Sequence, residues 1–405
     1  MSLFAGGIDM NLSKRAKNIT PSPTLALDAK TKELQASGVD IVSFGVGEPD
    51  FDTPLHIQVA GIDAIRGGHT RYTAGPGTLE LRNAIIGKYK AECSLTYAPN
   101  QVIVSNGAKH SLYNAFLAIC DDGDEVVVPA PYWVSYPDMV KLAGGVPVIM
   151  DTTTTDFKVT PAALESLITP RTKALILNSP SNPSGAVYTE KELRAIADVI
   201  VKHDIILVSD DIYEALIYDG TKYICVASFG DDIYKRTIVV NGVSKSYAMT
   251  GWRIGYALGP REVIKAMSDI QSHTTSCPSS ISQKASVAAL KGDHGPVRAM
   301  VEQFKARCEY MSARLQAMPG IECPKPRGAF YCFPKVSSYY GKSVDGLEIN
   351  NSVDFSTAML EKAHIALVAG SAFGSDDYVR LSYATSMEKI KEGLDRMEKL
   401  LLQMK

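Results

Sequence analysis

The reading turns on Asn241-Gly-Val-Ser-Lys-Ser-Tyr-Ala-Met-Thr-Gly-Trp-Arg-Ile-Gly255. Its first residue ends the apolar, β-branched run Thr237–Asn241, which reads as a strand buried on both faces. The chain then enters a Gly/Ser turn, presents Lys245 and reaches Arg253 about two helical turns further on. An open α/β sheet collects its ligands at the carboxyl ends of its strands. A lysine held there and partly desolvated is neutral enough to form a Schiff base with a carbonyl. A lysine without such flanks reads as a solvated surface residue.

Outward from this stretch the same pattern recurs. Gln101–Ser105, Glu125–Pro129, Val146–Met150, Lys173–Leu177 and Ile205–Asp210 are also short apolar runs without polar alternation, the mark of a mostly parallel sheet buried on both faces. Helical patterns lie between them. Thr189-Glu-Lys-Glu192 is a capping box followed by Ile196, Val199 and Ile200 on one face. Thr160-Pro161 opens another helix with proline at its first position. Alternating strand and helix defines the α/β class. Near the start, loops at Thr20–Thr24 and Gly45–Pro54 bracket a helix and a short strand. After about residue 295 a long helix near Val297–Met318 precedes short strands and a closing helix with Met387, Ile390, Leu394, Met397 and Leu401 at helical spacing. The chain therefore divides into residues 1–55, an N-terminal arm and the first part of a small domain; 56–295, a large domain; and 296–405, the rest of the small domain.

Composition excludes several classes. The 405 residues are 45% hydrophobic and 21% charged, with a net charge of −2, so nothing favours nucleic acid or an anionic membrane as partner. No apolar run approaches the roughly 18 residues of a membrane span, and the first residues do not form a signal peptide. Seven scattered cysteines without a C-x-x-C pair read as reduced thiols of a cytoplasmic protein. The seven histidines show no metal-ligand spacing.

The motif Ser-Lys-x-Tyr-x-Met-Thr-Gly-Trp-Arg around Lys245 resembles the cofactor-lysine signature of class I aminotransferases. Gly47-Glu-Pro-Asp-Phe-Asp-Thr-Pro54 and Arg380-Leu-Ser-Tyr-Ala384 extend the resemblance over nearly the whole chain, nearest to the bacterial-type aspartate and prephenate aminotransferases. It implies the type I pyridoxal-phosphate fold: a mostly parallel seven-stranded sheet with helices on both faces and a smaller α+β domain. It also implies pyridoxal 5′-phosphate bound to Lys245 and a homodimer with shared active sites.

The remaining motifs fit that chemistry. Asp210, at the end of an apolar strand, matches the carboxylate that keeps the cofactor's ring nitrogen protonated, so that the ring can act as an electron sink. Tyr213 matches the tyrosine at the phenolic oxygen. Asn182, aimed by the turn Asn178-Ser-Pro-Ser-Asn-Pro-Ser-Gly185, matches the amide that shares that oxygen and the substrate carboxylate. Ser105-Asn-Gly-Ala-Lys-His110 follows a strand and opens a helix, so Gly107 and Ala108 lie at an anion-favouring N-terminus. Lys109, Ser244 and Arg253 complete a phosphate cradle. Trp133 matches the ring that stacks on the cofactor, and Gly47 the backbone beside the substrate. Tyr72 resembles the tyrosine that reaches the neighbouring subunit's phosphate. Gly45-Val-Gly47 opens no helix, since Pro49 and acids follow, so a dinucleotide loop is rejected.

For substrate, Arg380 is the expected anchor of an α-carboxylate, because a planar guanidinium binds carboxylate bidentately. Ser22, Thr24 and Lys109 correspond to residues that receive a distal carboxylate in the aspartate-type relatives, which favours aspartate or glutamate with oxaloacetate or 2-oxoglutarate. Thr20 stands where many prephenate-using relatives carry a lysine, which counts against prephenate. The rival activities are aromatic, prephenate or broad-specificity transamination, and β-elimination from a cysteine conjugate on the same fold. A ligand-sensing module of a transcriptional regulator would need a helix-turn-helix domain that the short N-terminal arm leaves no room for.

Overall fold

The computed structural model describes residues 12–19, 21 and 23–405. Near the amino end a two-residue strand, β1 (Val42–Ser43), is followed by seven strands that form one sheet: β2 (Val102–Ser105), β3 (Glu125–Ala130), β4 (Val146–Asp151), β5 (Thr172–Asn178), β6 (Ile206–Asp210), β7 (Thr237–Gly242) and β8 (Gly255–Leu258). Their spatial order is β2-β8-β7-β6-β5-β3-β4. Only β8 runs against the others, pairing antiparallel with both β7 and β2. The six runs read from the sequence are all strands of this sheet, within a residue at each end.

The seventh strand, β8, is not among the runs read from the sequence; it begins at Gly255, where the lysine motif ends, and is four residues long. One expectation is corrected: β4 is not buried on both faces but is an edge of the sheet, with Val146 47% and Ile149 45% exposed.

Helices cover both faces because alternate strand residues point opposite ways. Val126 and Val128 pack with Leu112, Phe116 and Met139, whereas Val127 packs with Leu193, Ile196 and Ile200 on the other side. The predicted caps form: Thr160 and Thr189 accept from Ala163 N–H and Glu192 N–H at the starts of the helices Pro161–Leu167 and Glu190–Lys202.

The two chain ends share a separate core. β1 pairs parallel with Ile365–Ala366, and Phe44 and Val42 pack with Phe304, Phe330, Leu381, Leu394 and Met397. The long helix Gly295–Ala317 and the closing helix Met387–Leu401 stand as the sequence predicts. Strand Val379–Ser382 lies between Val368–Ala369 and Tyr331–Cys332, antiparallel to each. It carries Arg380 toward the large sheet. Among the described residues no helix is long and apolar enough to cross a membrane.

Candidate active site

The strand register gathers chemistry along one sheet edge. Asn178 is level with Asp210, Asp210 with Val240, and both Gly242 and Ser105 with Gly255. The loops leaving these carboxyl ends meet β1's continuation and Arg380 around a cavity of about 510 Å³. Thr24, Gly47, Ala108, Lys109, Trp133, Asn182, Asp210, Tyr213, Ser244, Lys245, Arg253 and Arg380 all line it.

Lys245 does not stand on a helix, and Arg253 is not two helical turns along one. The chain from Ser244 to Trp252 is a series of turns ending in one turn of 3₁₀ helix, and it leaves through Arg253 at φ +55°. Segment Gly45–Pro54 braces it from outside. The Thr53 hydroxyl donates to Ala248 O (2.7 Å) and accepts from Trp252 Nε1 (3.0 Å), and the Thr250 hydroxyl donates to Glu48 (2.7 Å). Lys245 Nζ donates to Gly47 O at 2.6 Å. Burial lowers its pKa to about 8; Arg253 and Arg380 push the same way, while Glu48 and Asp210 oppose.

Asp210 is 3% exposed. Desolvation raises its pKa to about 6, against the ionising pull of the Tyr136 hydroxyl, the Ile212 N–H and Lys245. Tyr136 Oη donates to Asp210 Oδ2 at 2.6 Å, and its ring meets Trp133 edge-on at 5.4 Å. Asn178 donates to Asp210 O (2.8 Å) and accepts from Asn182 N–H (2.8 Å), so one amide ties the Asp210 strand end to the turn that carries Asn182. Tyr213 Oη lies 2.9 Å from Tyr331 Oη, and burial lifts the Tyr213 phenol well above its usual pKa.

Arg380 is 3% exposed, donates to Asn182 Oδ1 (3.1 Å) and Gly45 O (2.7 Å), and has its guanidinium over the Tyr331 ring at 4.5 Å. No carboxylate pairs with it among the described residues, and its Nε is buried without a partner. A buried cation without an anion is costly unless a ligand supplies one. Across the cavity, Lys109 lies over the Trp133 ring (4.8 Å), also without a carboxylate partner among the described residues; burial and Arg253 lower its pKa.

The anion cradle is built on bare backbone. Gly107, at φ +88°, precedes the helix Ala108–Ile119, whose first N–H groups have no intrahelical acceptor. A Cβ on Gly107 would stand 2.4 Å from Arg253 Nη2, and one on Gly255 would stand 2.1 Å from Ala108 N. Only glycine at both positions lets the guanidinium and the helix start share one anion.

Four residues named from the sequence are placed less simply. Thr24 lines the cavity from the first turn of the helix Pro23–Ala36, not from a loop, because Pro23 suits a first helical position. Ser22 and Thr20 lie outside the described residues. Tyr72 is 91% exposed and does not line the protomer's own cavity. Sequence reasoning missed Tyr136, Asn178 and Tyr331. Asn178 opens the turn already quoted and Tyr136 lies three residues beyond Trp133, but only their partners in space give them a role.

Comparison with known proteins places the chain in a family. The family model for aminotransferase class I and II matches residues 39–397. The chain is 48% identical to an aspartate aminotransferase of Geobacillus stearothermophilus (97% of this chain, 99% of the relative). It is 49% identical to an aspartate/prephenate aminotransferase of Nitrosomonas europaea (97% and 100%). Among solved structures, the aspartate aminotransferase of Rhizobium meliloti superposes with a TM-score of 0.94 at 44% identity (98% and 100%). That of Thermus thermophilus, solved with maleate, does so at 0.91 and 42% (96% and 99%). The chain is thus that of an enzyme, and it belongs to the class I and II aminotransferases.

Proposed function

We propose that the protein holds pyridoxal 5′-phosphate on Lys245 and moves an amino group between L-aspartate or L-glutamate and the matching 2-oxo acids. The observation that carries this reading is the buried, acid-free Arg380 sharing one cavity with the Lys245 amine. The residues suit the cofactor. Lys245 supplies an amine of lowered pKa, Asp210 a buried carboxylate, and Arg253 with the Ala108 helix start a cradle that a side chain at Gly107 would fill.

When bound, pyridoxal phosphate supplies an electron sink for the pair left on the substrate's α-carbon. Arg380 holds the α-carboxylate and so sets which bond at that carbon faces the lysine. Lys245 would hold the cofactor through its Nζ, and as a free amine that Nζ would take the α-proton as a general base and return it as an ammonium. Asp210 would hold the cofactor's ring nitrogen protonated, with the Tyr136 hydroxyl stabilising the ionised form of the carboxylate. Asn182 and Tyr213 would serve the cofactor's phenolic oxygen, and Trp133 would cover its ring face. Because Arg380 comes from the core of the chain ends and Lys245 from the large sheet, substrate binding draws the two parts together.

Lys109, exposed at the cavity with no acidic partner among the described residues, supports a second carboxylate on the substrate, with Thr24 lining the same cavity. The maleate in the Thermus thermophilus relative is a dicarboxylate of that kind. A homodimer completes the reading. Tyr72 stands out from the protomer, and Leu55, Val59, Ile62 and Ile65 leave an apolar stripe exposed on the preceding helix Leu55–Arg66. The seven cysteines, all free thiols, support a cytoplasmic location.

The test is an absorption titration of the yellow holoenzyme with aspartate, glutamate, tyrosine and alanine. Aspartate or glutamate should bleach the lysine-bound cofactor band at the lowest concentration, and Lys109→Ala should raise the KM for aspartate far more than for tyrosine. Preference for tyrosine or alanine would overturn the substrate assignment. Pyruvate and ammonia released from a cysteine conjugate would mark a β-lyase instead.

A further inference from the structure

Two glutamines on separate helices are wholly buried and spend their amides on one loop. Gln283, in the helix Ser280–Lys291, accepts from Thr78 N–H at 2.7 Å and donates to Thr73 Oγ1 (3.1 Å) and Pro278 O (2.9 Å). Gln271, in the helix Arg261–Thr274, donates to Gly75 O and Val104 O (2.8 Å each) and accepts from Asn114 Nδ2 (3.1 Å). Both glutamines are 0% exposed, and each amide oxygen and both amide protons find a partner. The loop is tied further by Thr73 N–H to Cys277 Sγ (3.3 Å), Val104 N–H to Pro76 O (3.0 Å), and Gly77, where a Cβ would strike Val104 at 2.7 Å.

This rigid stretch begins one residue after the most exposed aromatic side chain described, Tyr72 at 91%. A buried amide is a costly way to fill a core that leucine would fill. Here two of them fix the backbone that presents a single tyrosine outward. Gln271 also joins that loop to β2 and, through Asn114, to the helix Ala108–Ile119, the two elements that frame the protomer's own Gly107 cradle.

We infer that Gln271 and Gln283 are positioning residues: they pre-order the Thr73–Thr78 loop so that Tyr72 reaches the phosphate of a second copy of this chain without an ordering cost on assembly. The inference rests on the reading of Tyr72 as a residue lent to the partner subunit.

The experiment is a double-mutant cycle on the dissociation constant of pyridoxal phosphate from the holoenzyme, with Gln283→Met and Tyr72→Phe alone and together, and unfolding of each apoprotein measured in parallel. Thr73→Val, which removes only the hydroxyl that Gln283 holds, is the milder variant should Gln283→Met fold poorly. Tyr72→Phe and Gln283→Met should each weaken the cofactor roughly tenfold, the double variant no more than either, and Thr73→Val in the same direction by less. A Gln283→Met or Thr73→Val effect that multiplies fully with Tyr72→Phe, or no effect on affinity beside a lowered melting temperature, overturns the positioning role. Wild-type affinity in Tyr72→Phe alone overturns the reading of Tyr72, and the inference with it; that arm separates the two failures.

Discussion

A guanidinium that is 3% exposed with one nitrogen unpartnered is poised for a planar anion, and its shape decides what replaces it. Lysine at this position keeps the charge but loses the fork, so Arg380→Lys should lower kcat/KM for aspartate by roughly 10²–10³-fold, chiefly through KM. Steady-state kinetics check this, and an unchanged KM would contradict the anchor. Lys245 offers a pH test. Its pKa of about 8 is set first by burial, with Arg253 and Arg380 adding to the effect and Glu48 and Asp210 opposing it. The neutral amine, the form that captures a carbonyl, grows about tenfold per pH unit below that value and saturates above it. The rate of cofactor capture by the apoprotein should therefore climb as pH rises toward about 8 and flatten beyond it. Stopped-flow mixing measures this directly; a rate independent of pH would mean that another step controls capture.

At the scale of elements, the cradle depends on how a strand passes into a helix. Strand β2 ends at Ser105, the chain turns at Gly107 with φ +88°, and the helix starts at Ala108. Gly107→Ala costs about 1–3 kcal/mol in backbone strain, since φ +88° with ψ 159° is a conformation almost confined to glycine. Its Cβ also meets Arg253 at 2.4 Å, and because the guanidinium is the flexible partner, it is the one that moves off the anion. Cofactor affinity should fall by about tenfold or more, while the melting temperature drops by only a few degrees. Equal affinity in equilibrium dialysis would show that Arg253 serves some other purpose.

On the scale of the whole molecule, residues more than three hundred positions apart build the core that carries Arg380. Phe44 N–H donates to Ala366 O at 2.7 Å, Ser382 N–H donates to Phe44 O at 2.8 Å, and Gly393 of the closing helix lies against Phe44 so tightly that a Cβ would stand 2.4 Å from its ring. Gly393→Val overpacks that contact and should destabilise the protein by about 1–3 kcal/mol. Since the large sheet is untouched, cofactor affinity should persist while the KM for aspartate rises with the displaced Arg380. Denaturant unfolding and kinetics together test this; a loss of cofactor affinity would mean that the two parts are not separable in this way.

The lysine, the buried aspartate, six strands and the capped helices were legible in the sequence because each is written locally. A β-branched run makes a strand whatever its neighbours, and a capping box closes within four residues. The tertiary structure alone decided that β2 and β4 are the two edges and that only β4 is left exposed, because nothing in the run Val146–Met150 says what will lie beside it. It decided that Gly255–Leu258 enters the sheet antiparallel, and that Arg253 leaves its turn at φ +55° rather than from a helix. It also gave Tyr136 its carboxylate 74 positions away and Tyr331 its phenol 118 positions away. A tyrosine in a sequence is only a ring with a hydroxyl. Whether that hydroxyl holds a carboxylate ionised depends on a partner that no local pattern names, and folding alone brings the two within hydrogen-bond distance.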